Sequence, residues 1–359
     1  MGSRVIHAKH TQNRQNPYAP VIDRAILLLF ACVMAWYYYG GGAVRLIIFT
    51  ALAALAADVV ASLVLKAAYK PDNMPFDLVS SALAGVITAL VMPASITPYL
   101  PAIVIFVCVI LVRAIYPILT KKPTIYRADG LSAALLAIAV LTVVFSGAAF
   151  DYPVPDAAAG AASPAVTDSV LKILQNSDAA AALRLGYVDL LTGNTAGPMG
   201  STCLLLMLTA LLYRLLRRPA EAVLPLAYTL TVGIFALFVR RAGLSAGGSL
   251  LFELSGGCGL FLMIFVLSEA RYQPKNPVLA GLCGVIAGLL TMLLRYVPIL
   301  EDSTCLAALA VNVFSEILNR SALLKKPKKG AAGRRKWITP EEQERYIDDI
   351  ASERGEGGR

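Results

Sequence analysis

Apolar residues in this chain gather into long, nearly unbroken blocks, separated by short clusters rich in Lys, Arg, Pro and Asn. A block of roughly 17 to 25 such residues is long enough to cross the hydrocarbon core of a bilayer as a helix. On that criterion ten blocks qualify: 24–40, 43–67, 78–93, 97–118, 131–149, 201–216, 221–239, 247–267, 277–298 and 303–320. In hydrocarbon every backbone polar group must be satisfied internally, so blocks of this kind fold as helices. The pattern predicts an all-α, polytopic membrane protein of about ten transmembrane helices. Blocks 78–93 and 201–216 are the short ones.

Composition agrees with that reading. Hydrophobic residues make up 57% of the 359, charged residues only 15%, and the mean hydropathy is +0.67. A soluble chain carries nearer a quarter charged residues, so this one could not cover its own surface with polar groups. No signal-peptide cleavage pattern precedes the first apolar block, which is expected to remain as a membrane helix. The two histidines, His7 and His10, lie in the polar N-terminal arm, so no histidine within the bundle can ligate haem. The closest pair among the six cysteines, Cys283 and Cys305, is 22 residues apart. Without a CxxC, no zinc ribbon or complete cluster motif is present. No catalytic residue and no metal site are expected.

Lysine and arginine orient the blocks. With both termini cytoplasmic, the inner connections hold Lys66, Lys70, Lys121, Lys122, Arg127, Arg214, Arg217, Arg218, Arg271 and Lys275, followed by the tail lysines 325, 326, 328 and 329. Arg240 and Arg241 are the clear exceptions among the outer connections. The net charge of +9 then needs no nucleic acid; basic cytoplasmic loops facing an anionic leaflet explain it. In the tail, Thr339-Pro340-Glu341-Glu342 reads as a capping box opening a short helix over 340–353.

The blocks divide five and five around residues 150–200, which gives an arm (1–23), a first half (24–149), an outer loop (150–200), a second half (201–320) and a basic tail (321–359). Five is odd, so the second half enters the membrane inverted. The third and eighth spans are small-residue-rich and broken. One runs from Ser80-Ser81-Ala82-Leu83-Ala84-Gly85 to Met92-Pro93; the other passes Ser255-Gly256-Gly257-Cys258-Gly259 and ends at Ser268-Glu269. Inverted halves with matched breaks are how many carriers build a midplane site; small residues alone also serve close helix packing. The outer loop carries Asp151, Asp156, Asp168, Asp178 and Asp189 against Lys172 and Arg184, with a helix expected from Val166 to Leu174 starting at Thr167 or Asp168. Among the charges inside the blocks, Asp58 lies within the second, Glu253 within the eighth and Arg113 near the inner end of the fourth. Asp58 and Glu253 either pair with arginine or backbone donors and fix packing, or line an ion path. Glu269 is expected as a solvated residue at the membrane edge.

The order of motifs resembles the RnfD subunits of Rnf electron-transport complexes and their relatives, the NqrB subunits of sodium-translocating NADH:quinone reductases. Ser81-Ala82-Leu83-Ala84-Gly85 through Leu90-Val91-Met92-Pro93 is similar to the family's third-span pattern. Gly193-Asn194, Gly197 and Met199-Gly200-Ser201-Thr202 resemble its Gly-Asn, Gly-Ser, Gly-Glu-Thr stretch at the sixth span, and Arg217-Arg218 end that span as in the family. Ser268-Glu269-Ala270 through Pro274 stands where the family has Thr-Asp-Pro-Val-Thr-Ser-Pro. Tyr126-Arg127-Ala128 replaces Phe-Asn-Pro before the fifth span. The resemblance implies FMN attached through a phosphoester to a hydroxyl of the outer loop. The family's Ser-Gly-Ala-Thr-Pro is matched by Gly160-Ala161-Ala162-Ser163-Pro164, which puts Ser163 at the attachment position and Ala161 in place of the glycine.

The resemblance further implies Gly200, Ser201, Thr202 and Tyr126 as flavin neighbours, and it leaves room for a second, noncovalent flavin. Its implied partners are other Rnf/Nqr-like membrane and peripheral subunits, a flavin transferase and the lipid of a bacterial cytoplasmic membrane. The role it implies is to hold FMN at the outer face and pass electrons to partner subunits of an ion-translocating complex. The chain has no GxGxxG after a strand and so no dinucleotide site of its own. Two other readings stay open: a ten-span permease for a small solute, and a non-redox scaffold of the same complex.

Overall fold

The computed structural model describes residues 19–69, 77–120, 130–155, 166–269, 273, 274, 276–296 and 300–324. Among these the named elements are all helices, without a strand; one isolated antiparallel bridge joins Pro153 to Val166. Ser163 and Tyr126 lie outside the described residues, as does the capping box at Thr339.

The first helix, α1 (Ala19–Tyr69), is 51 residues long, about 77 Å at the rise of an α-helix. That far exceeds one crossing of a roughly 30 Å hydrocarbon layer. It is interrupted at Gly40, whose φ of 61° and ψ of −143° are not helical. The two limbs on either side are the expected blocks 24–40 and 43–67. Next comes α2 (Leu78–Val91), capped by the Asp77 side chain, which accepts from the Ser80 amide at 3.4 Å. It ends at Met92-Pro93, since proline can neither donate to the helix nor follow a helical residue without a clash.

A single rod follows: α3 (Tyr99–Ile110), a π-helical turn (Leu111–Ile115) and α4 (Tyr116–Thr120). Then α5 (Gly130–Val144) and the single turn α6 (Ser146–Ala149) complete the first half. Between the halves the outer connection folds into three short helices, α7 (Val170–Gln175), α8 (Ala179–Arg184) and α9 (Tyr187–Thr192). The second half begins with α10 (Leu204–Arg217) and α11 (Pro219–Phe238). After it α12 (Ala246–Ser255) and α13 (Gly259–Leu262), the latter prolonged by a π-helical turn (Met263–Leu267), are bent by 56° at Gly256-Gly257. Finally α14 (Pro277–Arg295) and α15 (Thr304–Leu324) close the series.

Among the described residues four helices are long and apolar enough to cross a membrane, and five if the bent pair counts as one span. The exposed faces of the helices carry Leu29, Phe30, Trp36, Leu52, Leu63, Ile103, Leu230, Phe238 and Leu293. Bare apolar surface on that scale has no aqueous explanation and fits contact with lipid tails.

In the outer connection the helix expected over Val166–Leu174 starts later than predicted. Its cap is Ser169, which accepts from the Lys172 amide at 3.2 Å, while Asp168 instead pairs with Lys172 at 2.9 Å. A small core of Val170, Ile173, Leu174 and Leu190 packs against Phe252 of α12. The outer connection is therefore docked on the second half of the chain.

The sixth block also differs from its prediction: residues 193–203 are not helical, and α10 starts at Leu204. Two glycines and a proline in Gly197-Pro198-Met199-Gly200 withhold helix propensity from the stretch.

Candidate functional site

The stretch 195–203 is irregular backbone that is nonetheless buried. Buried polar backbone must find partners, and here they come from the broken end of α2 and the bend in α1. The Gly200 amide donates to the Leu90 carbonyl at 2.7 Å, and Met199 to Met92 at 3.4 Å. The Tyr39 hydroxyl, on the last helical turn before Gly40, lies 3.4 Å from the Thr195 carbonyl and 3.5 Å from that of Gly197. Tyr38 donates to the Thr192 carbonyl at 3.1 Å. Two breaks that the sequence shows separately, Gly40 and Met92-Pro93, thus meet on one buried loop.

Gly200, Ser201 and Thr202 lie within this loop. All three are buried, and the Ser201 hydroxyl donates to the Pro198 carbonyl at 3.3 Å. The Gly200 amide and the Ser201 hydroxyl thus both have partners inside the protein. Tyr152, just after α6, is also buried. Burial pushes its phenol well above the usual tyrosine range, and the nearby Glu301 and Asp302 push it further. Sequence reasoning does not single out Tyr38, Tyr39 or Tyr152. The one signal for the first two is a tyrosine run abutting Gly40-Gly41-Gly42, which hydropathy scanning treats as ordinary span residues.

The two carboxylates inside spans are both paired. Asp58 on α1 forms an ion pair with Arg113, which lies in the π-helical turn after α3. The other Asp58 oxygen, Oδ2, accepts from the Asp77 amide at 3.1 Å, and Arg113 Nη1 donates to the Ser81 hydroxyl at 3.3 Å. A π-helical turn shifts the register by one residue and is common at functional positions; here it places the guanidinium against α1 and α2.

Glu253 on α12 is held by Arg295, the only charged residue in the block 277–298. Arg295 Nη1 donates to Glu253 Oε2 and to the Glu253 carbonyl, each at 2.9 Å, and Nη2 to the Gly256 carbonyl at 2.7 Å. The break at Gly256-Gly257 frees carbonyls, and this one arginine takes up two of them. Arg241 Nε stands 3.6 Å from the other oxygen, Glu253 Oε1. On the far side of the break Asp302 accepts from the Cys258 amide at 2.7 Å and from the Thr304 amide at 3.0 Å. Glu253 Oε2 is thus hydrogen-bonded to Arg295, while Oε1 is buried without a hydrogen bond and has only the charge of Arg241 beside it.

The opposite ends of α1 and α10 carry a second charged cluster. Asp23 accepts from Arg217 at 2.8 Å, Arg218 at 3.1 Å and Tyr213 at 3.2 Å. Arg24 pairs with Glu269 at 2.9 Å. The solvated position expected for Glu269 is not what the fold gives it. The side chain is only 18% exposed and ties the start of α1 to the end of the α13 rod. No group of three or more metal-ligating side chains occurs among the described residues.

The sequence matches the NQR2, RnfD, RnfE family over residues 4–326. The chain belongs to this family. It is a multi-pass membrane protein and, as a member, a membrane subunit of the Rnf/Nqr type, with other subunits of such a complex as its partners. No curated protein is found to match it.

Proposed function

We propose that this subunit holds FMN at the outer face of the bacterial cytoplasmic membrane, bound through a phosphoester to Ser163. From there it would pass electrons between partner subunits of an ion-translocating complex. The observation that carries this reading is the family match over residues 4–326. The buried loop 195–203 supports it, because it supplies a fastened floor directly after the outer connection to which Ser163 belongs. FMN would supply one-electron chemistry at a potential set by its surroundings. The chain would supply position: a docked outer connection over α12, and a loop fastened by Tyr38, Tyr39, Leu90 and Met92.

The same proposal includes ten spans in two inverted halves with both termini cytoplasmic. Each of the ten apolar blocks overlaps helix: the two limbs of α1, then α2, α3–α4, α5–α6, α10, α11, α12–α13, α14 and α15. Within this reading Asp58 and Glu253 fix the helix breaks through Arg113 and Arg295. Ion movement would use them only after an arginine swings away.

A permease is the second reading, favoured by the 56° bend at Gly256-Gly257 beside buried charge. Ser163→Ala separates the two. On the flavoprotein reading the variant, made with an active flavin transferase, loses covalent flavin and still assembles. Undiminished flavin in Ser163→Ala would remove that serine from the account.

A further inference from the structure

The outer connection carries a run of exposed apolar residues. From Leu183 near the end of α8 to Val188 on the first turn of α9, every residue but Leu185 is exposed, with Leu183 at 81%, Tyr187 at 49% and Val188 at 69%. We infer that this strip lies against the bilayer at the boundary between headgroups and acyl chains, and anchors the outer connection to lipid.

What α9 touches fixes its level. The helix has six residues and is about 9 Å long. At its start the Tyr187 hydroxyl lies 3.5 Å from the hydroxyl of Ser245, the N-cap of α12. Towards its end the Leu191 carbonyl accepts from the thiol of Cys203, the N-cap of α10, at 3.4 Å. The Thr192 carbonyl accepts from Tyr38, on the last helical turn of α1 before Gly40. Held at both ends on the termini of three apolar helical segments, α9 lies across them instead of rising away from the bundle.

The surroundings of the strip identify what covers it. Tyr38 packs edge-on against Tyr37, with ring centroids 5.1 Å apart, and Tyr37 and its neighbour Trp36 are both more than half exposed. Tryptophan and tyrosine at a helix end mark the headgroup layer, so α9 is bonded to the residue next to that pair. Leu205, on the first turn of α10 and so beside the Cys203 contact, is also exposed and belongs to the lipid-facing surface. The strip therefore continues a surface already turned to lipid. Its charge fits as well. The Asp189 carboxylate is engaged within the connection, accepting from the Gly186 amide at 3.2 Å and the Asn194 side-chain amide at 3.4 Å. Arg184 is then the one charged residue in the exposed run, with an apolar stem for the interface and a cation for lipid phosphate. A short segment with apolar side chains and a basic residue on its free side is suited to lie in the plane of the interface.

The leaflet concerned follows from the ten-span arrangement proposed above, whereas lipid contact does not depend on which side α9 faces. The test uses the full chain in vesicles of phosphatidylcholine and phosphatidylglycerol, with acyl chains brominated near the headgroup in both leaflets and iodide on both sides. An inverted orientation then leaves the result unchanged. Of the two tryptophans, Trp36 and Trp337, Trp337→Phe leaves Trp36 as the reference for the headgroup layer. Adding Trp36→Phe with Leu183→Trp puts the sole reporter on the strip. Asn176→Trp in the same background puts it at the exposed turn beside Ser177 and Asp178. The strip reporter is expected to be quenched by brominated lipid to within about a factor of two of Trp36 and to be shielded from iodide. Asn176→Trp should show the reverse. Should Leu183→Trp fail to fold, Val188→Trp reads the same strip. A strip reporter open to iodide and untouched by brominated lipid would overturn the inference and leave the strip as a face for another protein subunit. Equal lipid quenching at Asn176 and Leu183 would overturn it too, because the contact would not be confined to the strip.

Discussion

Arg295, at the last turn of α14, reaches Glu253 on α12 with Nη1 2.9 Å from Oε2, and both side chains are at most 1% exposed. The same guanidinium also closes the broken helix by donating to the Glu253 and Gly256 carbonyls. Removing one member of such a pair leaves the other buried and uncompensated. Arg295→Met is therefore expected to cost about 3–5 kcal/mol, with Glu253→Gln less damaging because the carbonyl bonds survive. Thermal unfolding of both single variants and the double variant gives the coupling. Strict additivity would show that the pair does not act as a unit.

The bend itself rests on Gly257. Its φ of +74° lies in the left-handed region, and a Cβ there would collide with Asp302 Oδ2. Gly257→Ala is expected to destabilise by about 1–3 kcal/mol from backbone strain alone, and by more with the collision. Adding Asp302→Ala removes the carboxylate collision but leaves Leu171 Cδ1 at 2.7 Å and loses the bond to the Cys258 amide, so the double variant stays impaired. A Gly257→Ala protein with wild-type thermal stability would mean that the bend does not need this conformation.

Helix approach makes a third prediction. A Cβ on Gly85 would come within 2.5 Å of the Thr50 carbonyl oxygen on α1, and backbone has little room to yield. Gly85→Ala should separate α1 from α2 and lower stability by about 1–3 kcal/mol. Gly147→Ala, where nothing lies within 4 Å, serves as the control and should be neutral or slightly stabilising. Equal behaviour of the two variants would remove the packing explanation.

A fourth concerns pH. Glu301, in the connection between α14 and α15, is pushed up to about 7 by burial. Its hydrogen bond with Ser169 and the charge of Lys172 oppose that shift, while Asp302 and Asp168 add to it. A carboxyl whose folded pKa exceeds its unfolded value of about 4.3 binds its proton more tightly in the folded state. Its contribution is then complete at low pH and is lost as pH rises from about 4.3 to 7, by at most about 4 kcal/mol. Thermal midpoints from roughly pH 5 to 8 should show that downward slope, and Glu301→Gln should flatten it. An unchanged slope in Glu301→Gln would assign the effect to another group.

The helical content is readable because hydrocarbon forces apolar blocks into helices. The blocks 24–40, 43–67, 221–239 and 277–298 all meet helix close to their expected bounds. The expectation of helix at 201–203 fails, because Leu204 onward supplies the hydrophobicity while glycine and proline before it withhold propensity. Asp58 and Glu253 stand out as charges in apolar runs, yet their partners Arg113 and Arg295 are 55 and 42 residues away, and such pairing is tertiary. Arg295 is visible in the sequence as the lone charge of its block. Tyr39 is not, because its partners are backbone carbonyls of a loop 156 residues on.

The central claim is that the subunit carries a flavin on its outer segment. The direct measurement is in-gel flavin fluorescence of the denatured chain, expressed with an active flavin transferase, followed by mass mapping of the labelled peptide. The account predicts a fluorescent band whose label maps to Ser163. A dark band, beside a control protein that the same transferase labels, would contradict it and favour the permease or scaffold.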